Sequence, residues 1–475
     1  MKKTFLVSVA FTSLLAVSCS QPSNGISRSQ DNWLADSVPS IKQTYNDTFD
    51  YIGLAVEYGN FGLKCTGDKY TGTYTEDKSW GTPSEFYYSE VQQGVSKHAN
   101  TITLGNELKP QFLLQWWDGD GSSQSKTTFT ASNGKTIEVP DKLNGEALIY
   151  ATLNAAKKAG VKMRGHVLTW HSQTPEGFFT ENYKPVYDEH TKAITNFVSK
   201  EVMTARHEWY IKTVLDCVAQ WEKANGFAGK ETGNHLIWAW DVVNEAMADD
   251  AGTTYTGTNQ NWLRGSTSQT KDKSPTDYPQ GSRWYQIYGN EEFIINAFRF
   301  ANAYAPADVK LCYNDYNEYV DFVDGYKTSA IEHIAKLIKE GTPQTIAGKS
   351  VSPRLDVIAM QSHVGTSWPS ISEYESALKK FLAIADVHVS ELDFNATSQN
   401  DAEKVYGEYL KMLKKYGKTY SGSHKIECVT IWGINNENSW INPNSDGNTT
   451  YPLLFSKTGE TYDTNNSFWA VINSH

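Results

Sequence analysis

Residues 236–245 read LIWAWDVVNE, and residues 385–394 read ADVHVSELDF. Each segment is a short, mostly apolar run that leads into a glutamate, Glu245 in the first and Glu391 in the second. Strands that are buried on both faces of a parallel sheet have this apolar, β-branched character. In an eight-stranded barrel, the polar residues that follow such strands collect at one face. We therefore predict that the two glutamates meet at the carboxyl ends of barrel strands.

Six further stretches of this kind make eight in all, and most of the segments between them have helical periodicity. Gly160 and Gly341 end two of these predicted helices, as glycine often does. The pattern predicts an α/β fold, a (β/α)8 barrel with a single catalytic domain and long βα loops. The six further predicted strands are residues 52–56, 101–104, 161–168, 309–313, 355–360 and 427–432.

Three polar gaps follow the second, third and fourth predicted strands, at residues 118–143, 173–190 and 248–281. Each is too short to be a domain of its own. Because loops after barrel strands lie on the catalytic side, we expect these segments to rise over the active-site face.

The first 18 residues combine Lys2 and Lys3 with an apolar run at 5–17 and a small residue just before Cys19. This pattern predicts a signal peptide of the lipoprotein type over residues 1–18, with lipid attached to Cys19. The alternative is an ordinary secretory signal. We expect an exported outer-membrane lipoprotein at the cell surface or the periplasmic face, or a secreted protein if Cys19 is not acylated.

Residues 19–40 are rich in Ser, Gln, Asn and Asp, which predicts a flexible tether before a catalytic domain at 41–475. The formal net charge of −11 disfavours nucleic acid or an anionic membrane surface as a partner. Membrane attachment is expected only through the N-terminal lipid, and the chain is expected to be a monomer. The remaining cysteines lack CxxC spacing and are predicted to be buried rather than metal-binding; a disulfide between Cys312 and Cys428 stays an alternative.

Two carboxyl groups at the carboxyl ends of barrel strands suit glycoside hydrolysis, in which one group donates a proton while the other attacks the sugar or activates water. This chemistry needs no cofactor or metal, and we predict none. Polar and aromatic residues also follow the other predicted strands, which strengthens the case for one site. They are Asn106, Lys109, His166, Trp170, His171, Gln173, Asn244, Tyr313, Asn314, Asp315, Gln361, His363, Asp393, Trp432 and Trp440.

Seven motifs around these residues resemble, in order, those of glycoside hydrolase family 10, the retaining endo-β-1,4-xylanases. The resemblance spans about residues 41–475 and implies hydrolysis of xylan or xylo-oligosaccharides. The motifs are GNELK (105–109), RGHVLTWHSQTP (164–175), WDVVNEAM (240–247), YNDYN (313–317), IAMQSHV (358–364), VSELDF (389–394) and WGINNENSW (432–440).

The resemblance implies that Glu391 is the nucleophile and Glu245 the general acid and base of a double displacement with retained configuration. His363 would be the partner of the nucleophile, and Asp393 would support His363. On its own, Asp393 also fits a structural salt bridge at the barrel end. Asn244 would hold the 2-hydroxyl of the sugar at the cleavage point.

The resemblance further implies the residues that contact the substrate. Lys109 and His166 would hold the neighbouring 3-hydroxyl, and Gln361 would contact the same sugar. Asn106 and Gln173 would bind one sugar further out. The indoles of Trp170, Trp432 and Trp440 would wall the non-reducing side, and Tyr313 would be an aromatic of the leaving-group side.

Two positions depart from the family pattern, because Gly105 stands where a Glu is usual and Asn436 where an Asp is usual. Without the carboxylate at 105, a charge-assisted hydrogen bond of about 1.5–3 kcal/mol is lost unless Glu107 or an inserted loop replaces it. How the three inserted loops treat branched xylan is left open.

Three other functions are compatible with parts of this sequence. A related barrel glycosidase could act on mixed-linkage β-glucan or cellulose, because xylose and glucose differ only by a hydroxymethyl group. A metalloenzyme would use His166, His171 and His363, although the spacing of the first two is not the i, i+4 of a helical zinc motif. A non-catalytic lipoprotein that binds polysaccharide would have no need for both Glu245 and Glu391.

Overall fold

All eight stretches predicted as strands form strands, and these pair in parallel into one closed barrel. Each strand pairs with the next one along the chain, and the last pairs with the first. The prediction of a (β/α)8 barrel is confirmed. The strands are β1 (Tyr51–Val56), β2 (Thr101–Leu104), β3 (Lys162–Trp170), β4 (Ile237–Asn244), β5 (Lys310–Asp315), β6 (Val357–Met360), β7 (Asp386–Asn395) and β8 (Ile426–Ile431).

One major helix follows each strand. The second begins at Glu146 and ends where Gly160 takes the left-handed conformation, with φ of 71°, as predicted. The helices are α1 (Ser89–His98), α2 (Glu146–Ala159), α3 (Lys200–Ala224), α4 (Glu292–Tyr304), α5 (Tyr326–Lys339), α6 (Ile371–Leu382), α7 (Gln399–Leu413) and α8 (Asn466–Ile472). The computed structural model describes residues 31–70, 72–78, 81–249, 261–277, 280–320 and 326–475.

Shorter elements decorate the barrel. One three-residue strand, His363–Gly365, extends the barrel beyond the end of β6 by pairing with β7. The segment 118–143, predicted only as a polar loop, contains a hairpin of Lys126–Thr130 and Thr136–Pro140. The other hairpins are Gly62–Thr66 with Thr73–Asp77, Gln344–Ile346 with Lys349–Val351, and Phe455–Thr458 with Thr461–Thr464. The short α-helices are Ile41–Thr44, Pro110–Leu114 and Arg283–Tyr288. The 3-10 turns are Glu85–Tyr87, Glu176–Phe179, Glu181–Tyr183, Lys414–Tyr416 and Asn436–Asn438.

The inside of the barrel is filled by side chains of the strands, and β4 is buried along its whole length. Gly53 shows how tight this packing is, because a Cβ at that position would lie 2.4 Å from Oγ1 of Thr430 on the paired strand. Cys312 and Cys428, which the sequence left open as a pair, are both buried and free. Within the described residues, we find no helix with the length and apolarity needed to cross a membrane.

The start of the packed chain differs from the prediction. Residues 31–40 were expected to belong to the tether, but Trp33 is only 1% exposed and stacks on Tyr462 at a centroid distance of 4.8 Å. Its backbone N–H also donates to the carbonyl of Tyr462. Burial of the large apolar surface of one indole is enough to hold this segment against the barrel, although most of the residues around Trp33 are polar. The predicted signal peptide, Cys19 and residues 19–30 lie outside the described residues.

Replacing Trp33 by Ala should lower the free energy of unfolding by about 3–5 kcal/mol, because it leaves a large cavity between the N-terminal segment and the last hairpin. Chemical denaturation of the variant measures this change. Trp117→Ala is the matched control, since Trp117 is 47% exposed and its loss should have little effect on unfolding. Equal stability of wild type and Trp33→Ala would show that residues 31–40 are not part of the folded unit.

Candidate active site

The predicted site residues lie at the carboxyl ends of the barrel strands, where the loops leave an open face. Glu391 lies near the end of β7, and Glu245 directly follows β4. The two strands are not neighbours, so β5 and β6 lie between them in the barrel. The side chains at the ends of these two strands therefore connect the glutamates.

Glu391 is buried, and two donors hold its carboxylate. Nδ2 of Asn314 donates to Oε1 at 2.7 Å, and Nε2 of His363 lies 3.2 Å from Oε2. Burial alone would raise the pKa of Glu391. The hydrogen bond from His363 and the charges of His166 and His363 outweigh it and lower the pKa to about 2. Glu391 is therefore ionised at neutral pH.

His363 is held between two carboxylates. Its Nδ1 lies 2.8 Å from Oδ1 of Asp393, whose Oδ2 accepts a hydrogen bond from the indole of Trp440 at 2.8 Å. The strand His363–Gly365 pairs with β7 so that His363 and Asp393 are opposite each other. Burial would lower the pKa of His363, but the charges and hydrogen bonds of Asp393 and Glu391 raise it well above 6.5. The ring is an imidazolium that donates to both partners.

Glu245 has a different environment from Glu391. Its Oε2 accepts from the indole of Trp170 at 2.9 Å, and its Oε1 accepts from the amides of Gln361 at 3.0 Å and Asn244 at 3.1 Å. His171 is the nearest ionisable donor, with Nδ1 4.0 Å from Oε2. Neutral N–H groups thus provide most of its hydrogen bonds, and Glu245 has no close counter-ion comparable to the one that holds Glu391.

Asn314 connects the two glutamates. Its Nδ2 donates both to Glu391 and to Oδ1 of Asn244 at 2.8 Å, and Asn244 in turn donates to Glu245. Ser390 fixes this amide by donating to its oxygen at 2.6 Å. The sequence placed Asn314 at a strand end without a role. Its position in the run YNDYN was the available signal.

Lys109 anchors a second group of predicted residues beside the glutamates. Its Nζ donates to the amide oxygen of Gln173 at 2.9 Å and to that of Asn106 at 3.2 Å. The same ammonium group lies 4.8 Å from the ring centroid of Trp170, a cation–π contact. These four residues come from the ends of β2 and β3, so the structure brings them together as predicted.

His166 lies beneath this group and is buried. Its Nδ1 is 3.0 Å from Oδ2 of Asp241, whose other oxygen accepts from Arg164 at 2.6 Å. The indole of Trp432 packs edge-on against His166. His166 and His363 therefore bond to different carboxylates, which is contrary to the metalloenzyme interpretation. Among the residues with described positions, no three His, Cys, Asp or Glu side chains form a group that could hold a metal ion.

Tyr313 is the one predicted contact that the structure removes from the cleft. Its side chain is 0% exposed, and its hydroxyl donates to Oδ2 of Asp315 at 2.5 Å. Successive side chains of a strand point to opposite faces, so when Asn314 faces the barrel centre, Tyr313 faces the helices. The prediction that Tyr313 contacts the leaving-group side was wrong. Tyr316, three residues later, is half-buried near the same strand end.

Arg264 was missed by sequence reasoning and lies behind Glu245. Its Nε donates to the backbone carbonyl of Glu245 at 2.6 Å, and its Nη2 donates to the hydroxyl of Tyr316 at 3.1 Å. Buried Lys327 links the start of the same loop to the end of β5, because it pairs with Asp249 at 2.5 Å and with Asp315 at 3.1 Å. Within the described part of the segment 248–281, Arg264 therefore fixes the backbone of Glu245.

The two departures from the family pattern have different surroundings. Glu107 does not replace a carboxylate at 105, because it is buried and accepts from the backbone N–H groups of Tyr58 at 2.6 Å and Gly59 at 2.7 Å. Burial raises the pKa of Glu107 to about 7. Asn436 is also buried, and its Oδ1 accepts from the N–H of Leu453 at 2.8 Å. Both side chains hold loops rather than line the cleft.

The family model of glycosyl hydrolase family 10 matches residues 40–474. The bifunctional endo-1,4-beta-xylanase XylA of Ruminococcus flavefaciens is 32% identical over 365 residues, which are 76% of this chain and 30% of that protein. Endo-1,4-beta-xylanase Y of Acetivibrio thermocellus is 31% identical over 398 residues, 81% of this chain and 30% of that protein. The chain thus spans under a third of the length of these two relatives. Endo-1,4-beta-xylanase A of Butyrivibrio fibrisolvens is 29% identical, with 86% and 87% covered.

Solved structures show the same architecture. The N-terminal endo-1,4-beta-D-xylanase 10B of Clostridium thermocellum, solved as its CBM22-1 and GH10 modules with xylohexaose, is 26% identical with a TM-score of 0.62; the match covers 91% of this chain and 67% of that one. A psychrophilic glycoside hydrolase family 10 endo-beta-1,4-xylanase, 24% identical with a TM-score of 0.59 and 91% and 99% covered, supports the fold alone.

The charge state of His363 can be measured by ¹⁵N NMR of the histidine rings. Both nitrogens of His363 should carry a proton at pH 7, and Asp393→Asn should lower its pKa, because the imidazolium loses one of its two carboxylate partners. His388 is the internal control, since burial lowers its pKa and its ring should be neutral at pH 7 in both proteins. A neutral His363 ring in the wild type at pH 7 would contradict the assigned geometry.

Proposed function

The chain belongs to glycosyl hydrolase family 10, and we propose that it hydrolyses internal β-1,4-xylosidic linkages of xylan with retention of configuration. The observation that carries this proposal is the contrast between the two glutamates. Glu391 is buried beside an imidazolium and is ionised, while Glu245 is held mainly by neutral N–H groups. A double displacement needs one charged carboxylate that attacks and one carboxylic acid that donates a proton.

In the first step, a carboxylate oxygen of Glu391 forms a bond to the anomeric carbon as the glycosidic bond breaks. Glu245 gives its proton to the departing oxygen. In the second step, Glu245 takes a proton from water, whose oxygen attacks the anomeric carbon and releases Glu391. Because the anomeric centre is inverted twice, the product keeps the β configuration.

Other residues of the site hold the substrate in this proposal. Asn244 binds the 2-hydroxyl at the cleavage point, a contact that strengthens as positive charge develops on the sugar. Lys109, His166 and Gln361 bind the first sugar on the non-reducing side, walled by the indoles at the ends of β3 and β8. Asn106 and Gln173 bind the next one. These assignments are supported by the hydrogen bonds that bring the side chains together at one face of the barrel.

The proposal includes the location of the protein. We infer export from the N-terminal sequence, with a lipid on Cys19 that anchors the enzyme to the outer membrane, at the cell surface or its periplasmic face. Product analysis on xylan, arabinoxylan and barley β-glucan tests substrate class and endo action together. Cleavage of β-glucan in place of xylan would favour the alternative of a related barrel glycosidase.

Glu391→Ala should abolish hydrolysis of unsubstituted xylan, since it removes the carboxylate that attacks the anomeric carbon in this proposal. Initial rates of reducing-sugar release measure the loss. Glu408→Ala is the control, because Glu408 is exposed on α7, far from the strand ends, and its loss should leave the rate unchanged. Near-wild-type rates for Glu391→Ala would refute the nucleophile assignment.

Glu245→Ala should lower the rate on xylan by about 10²–10⁴-fold, the usual contribution of general acid–base catalysis. Turnover of aryl xylosides should survive better, because a good leaving group needs no proton. Added azide should occupy the space left by the carboxylate and yield a β-glycosyl azide, which NMR identifies. An α-glycosyl azide would mean that the roles of Glu245 and Glu391 are reversed.

A further inference from the structure

A cavity of about 400 Å³ opens beside the catalytic residues, at the ends of β1, β2 and β8. Its size is within the usual range for small-molecule sites. It is continuous with the proposed substrate cleft, because Trp432 and Trp440 line both. The other lining residues are Ala55, Val56, Glu57, Ser84, Glu85, Gly105, Gly433, Ile434, Asn435, Asn438, Ser439 and Leu453.

Gly105 makes room for Glu57 in this cavity. A Cβ on Gly105 would lie 3.3 Å from Oε1 of Glu57, closer than most Cβ contacts, so a larger side chain at 105 would crowd the carboxylate. Glu57 is exposed, and its Oε1 accepts from Nδ2 of Asn106 at 2.6 Å. The polar residue that follows the first predicted strand was overlooked in the sequence, although it lies at a strand end like the others.

Glu85 faces the same cavity from the loop that follows β1. Its Oε2 accepts from the side-chain amides of Asn435 at 3.3 Å and Asn438 at 3.4 Å. Burial raises the pKa of Glu85 to about 7, and the negative charge of Glu57 acts in the same direction. The two asparagine amides donate hydrogen bonds to Glu85 but carry no charge that could balance the charge of its carboxylate.

Trp440 forms an aromatic wall that is fixed in place. Its side chain is 64% exposed, while its indole N–H donates to Asp393 in the catalytic network. An exposed indole beside carboxylates and amides is the usual combination for binding a sugar, since the ring packs on C–H groups and the polar atoms bond hydroxyls. Of the described residues that line the cavity, none is a Lys or an Arg.

We propose that Glu57 and Glu85 form a pocket for an uncharged sugar unit of the substrate, beyond the sugar bound next to the cleavage point, and that the pocket rejects a uronic acid. This proposal rests on the proposed function, because the sugar unit is part of the same substrate. The carboxylates accept hydrogen bonds from sugar hydroxyls, the asparagines donate, and Trp440 supports the ring. A uronate would add a negative charge beside the carboxyl groups of Glu57 and Glu85, with no described Lys or Arg lining the pocket.

The unit could come from two sources with the same chemistry, the next xylose of the main chain or a neutral branch sugar such as arabinose. The test compares kcat/KM for unbranched xylo-oligosaccharides of increasing length, arabinosyl-substituted ones and glucuronosyl-substituted ones, with products identified by mass spectrometry. The variants are Glu57→Ala, Glu85→Ala and the double substitution Glu57→Gln with Glu85→Gln. Thermal unfolding verifies that each variant folds.

Glu57→Ala and Glu85→Ala should each lower kcat/KM about tenfold or more for substrates that reach the pocket, and leave the shortest substrate unchanged. The double Gln variant should lose about tenfold of its preference for neutral over glucuronosyl substrates, because it keeps hydrogen-bonding groups but removes both carboxyl groups and the negative charge that they carry. Glu437→Gln is the matched control. Glu437 is an exposed carboxylate of the same loop that bonds the N–H of Lys457 and does not line the cavity.

A loss that depends on main-chain length identifies the unit as a backbone xylose, and a loss confined to arabinosyl substrates identifies it as a branch. Equal losses on short and long substrates, or unchanged discrimination against uronic acid in the double variant, overturn the pocket. Mixed-linkage glucan oligosaccharides are assayed in parallel. If the enzyme cleaves only the glucan oligosaccharides, the proposed function is refuted. The effect of the Glu57 and Glu85 variants on glucan oligosaccharides of increasing length would still show whether the pocket binds a sugar.

Discussion

Glu391 is a carboxylate that the barrel buries and that has to stay ionised. Transfer of such a group out of water costs several kcal/mol unless partners compensate. The compensation comes from His363 and Asn314, and the imidazolium of His363 depends in turn on Asp393. These partners lie at the ends of β5, β6 and β7. A one-residue slip of any of these strands would turn its side chain to the opposite face, so the charge of Glu391 depends on the register of three of the eight strands.

The same register controls Glu245. Its backbone has a positive φ of 53°, a conformation that costs a non-glycine residue about 1–3 kcal/mol. Arg264 donates a hydrogen bond to the backbone carbonyl of Glu245. The backbone N–H of Glu245 donates to the carbonyl of Asn314 at 2.8 Å. Asn314 therefore bonds Glu391 through its side chain and Glu245 through its backbone. The relative position of the two carboxylates therefore depends on Asn314 of β5 as well as on the strands that carry the glutamates.

Apolar runs alone were enough to predict eight strands and their order, because strands buried on both faces leave a continuous hydrophobic pattern. The assignment of individual side chains was less secure. Tyr313 and Asn314 are adjacent and both suit a sugar site, but only the pleat of β5 decides which one faces the cleft. Trp33 was hidden in a polar segment, and its partner Tyr462 is more than 400 residues away. Arg264 was hidden because the loop that carries it returns to the barrel through contacts that no local pattern reveals.

An absent side chain can matter as much as a charged one, and Gly105 shows why. A Cβ at this position would crowd the carboxylate of Glu57, so the two residues are matched to each other although they follow different strands. Glu57 bonds the amide nitrogen of Asn106, while the amide oxygen accepts from Lys109. The orientation of Asn106 is therefore fixed from both sides. The contact that we propose between Asn106 and the second sugar then depends on the end of β1 as well as β2, and Glu57 places a carboxylate next to Gly105.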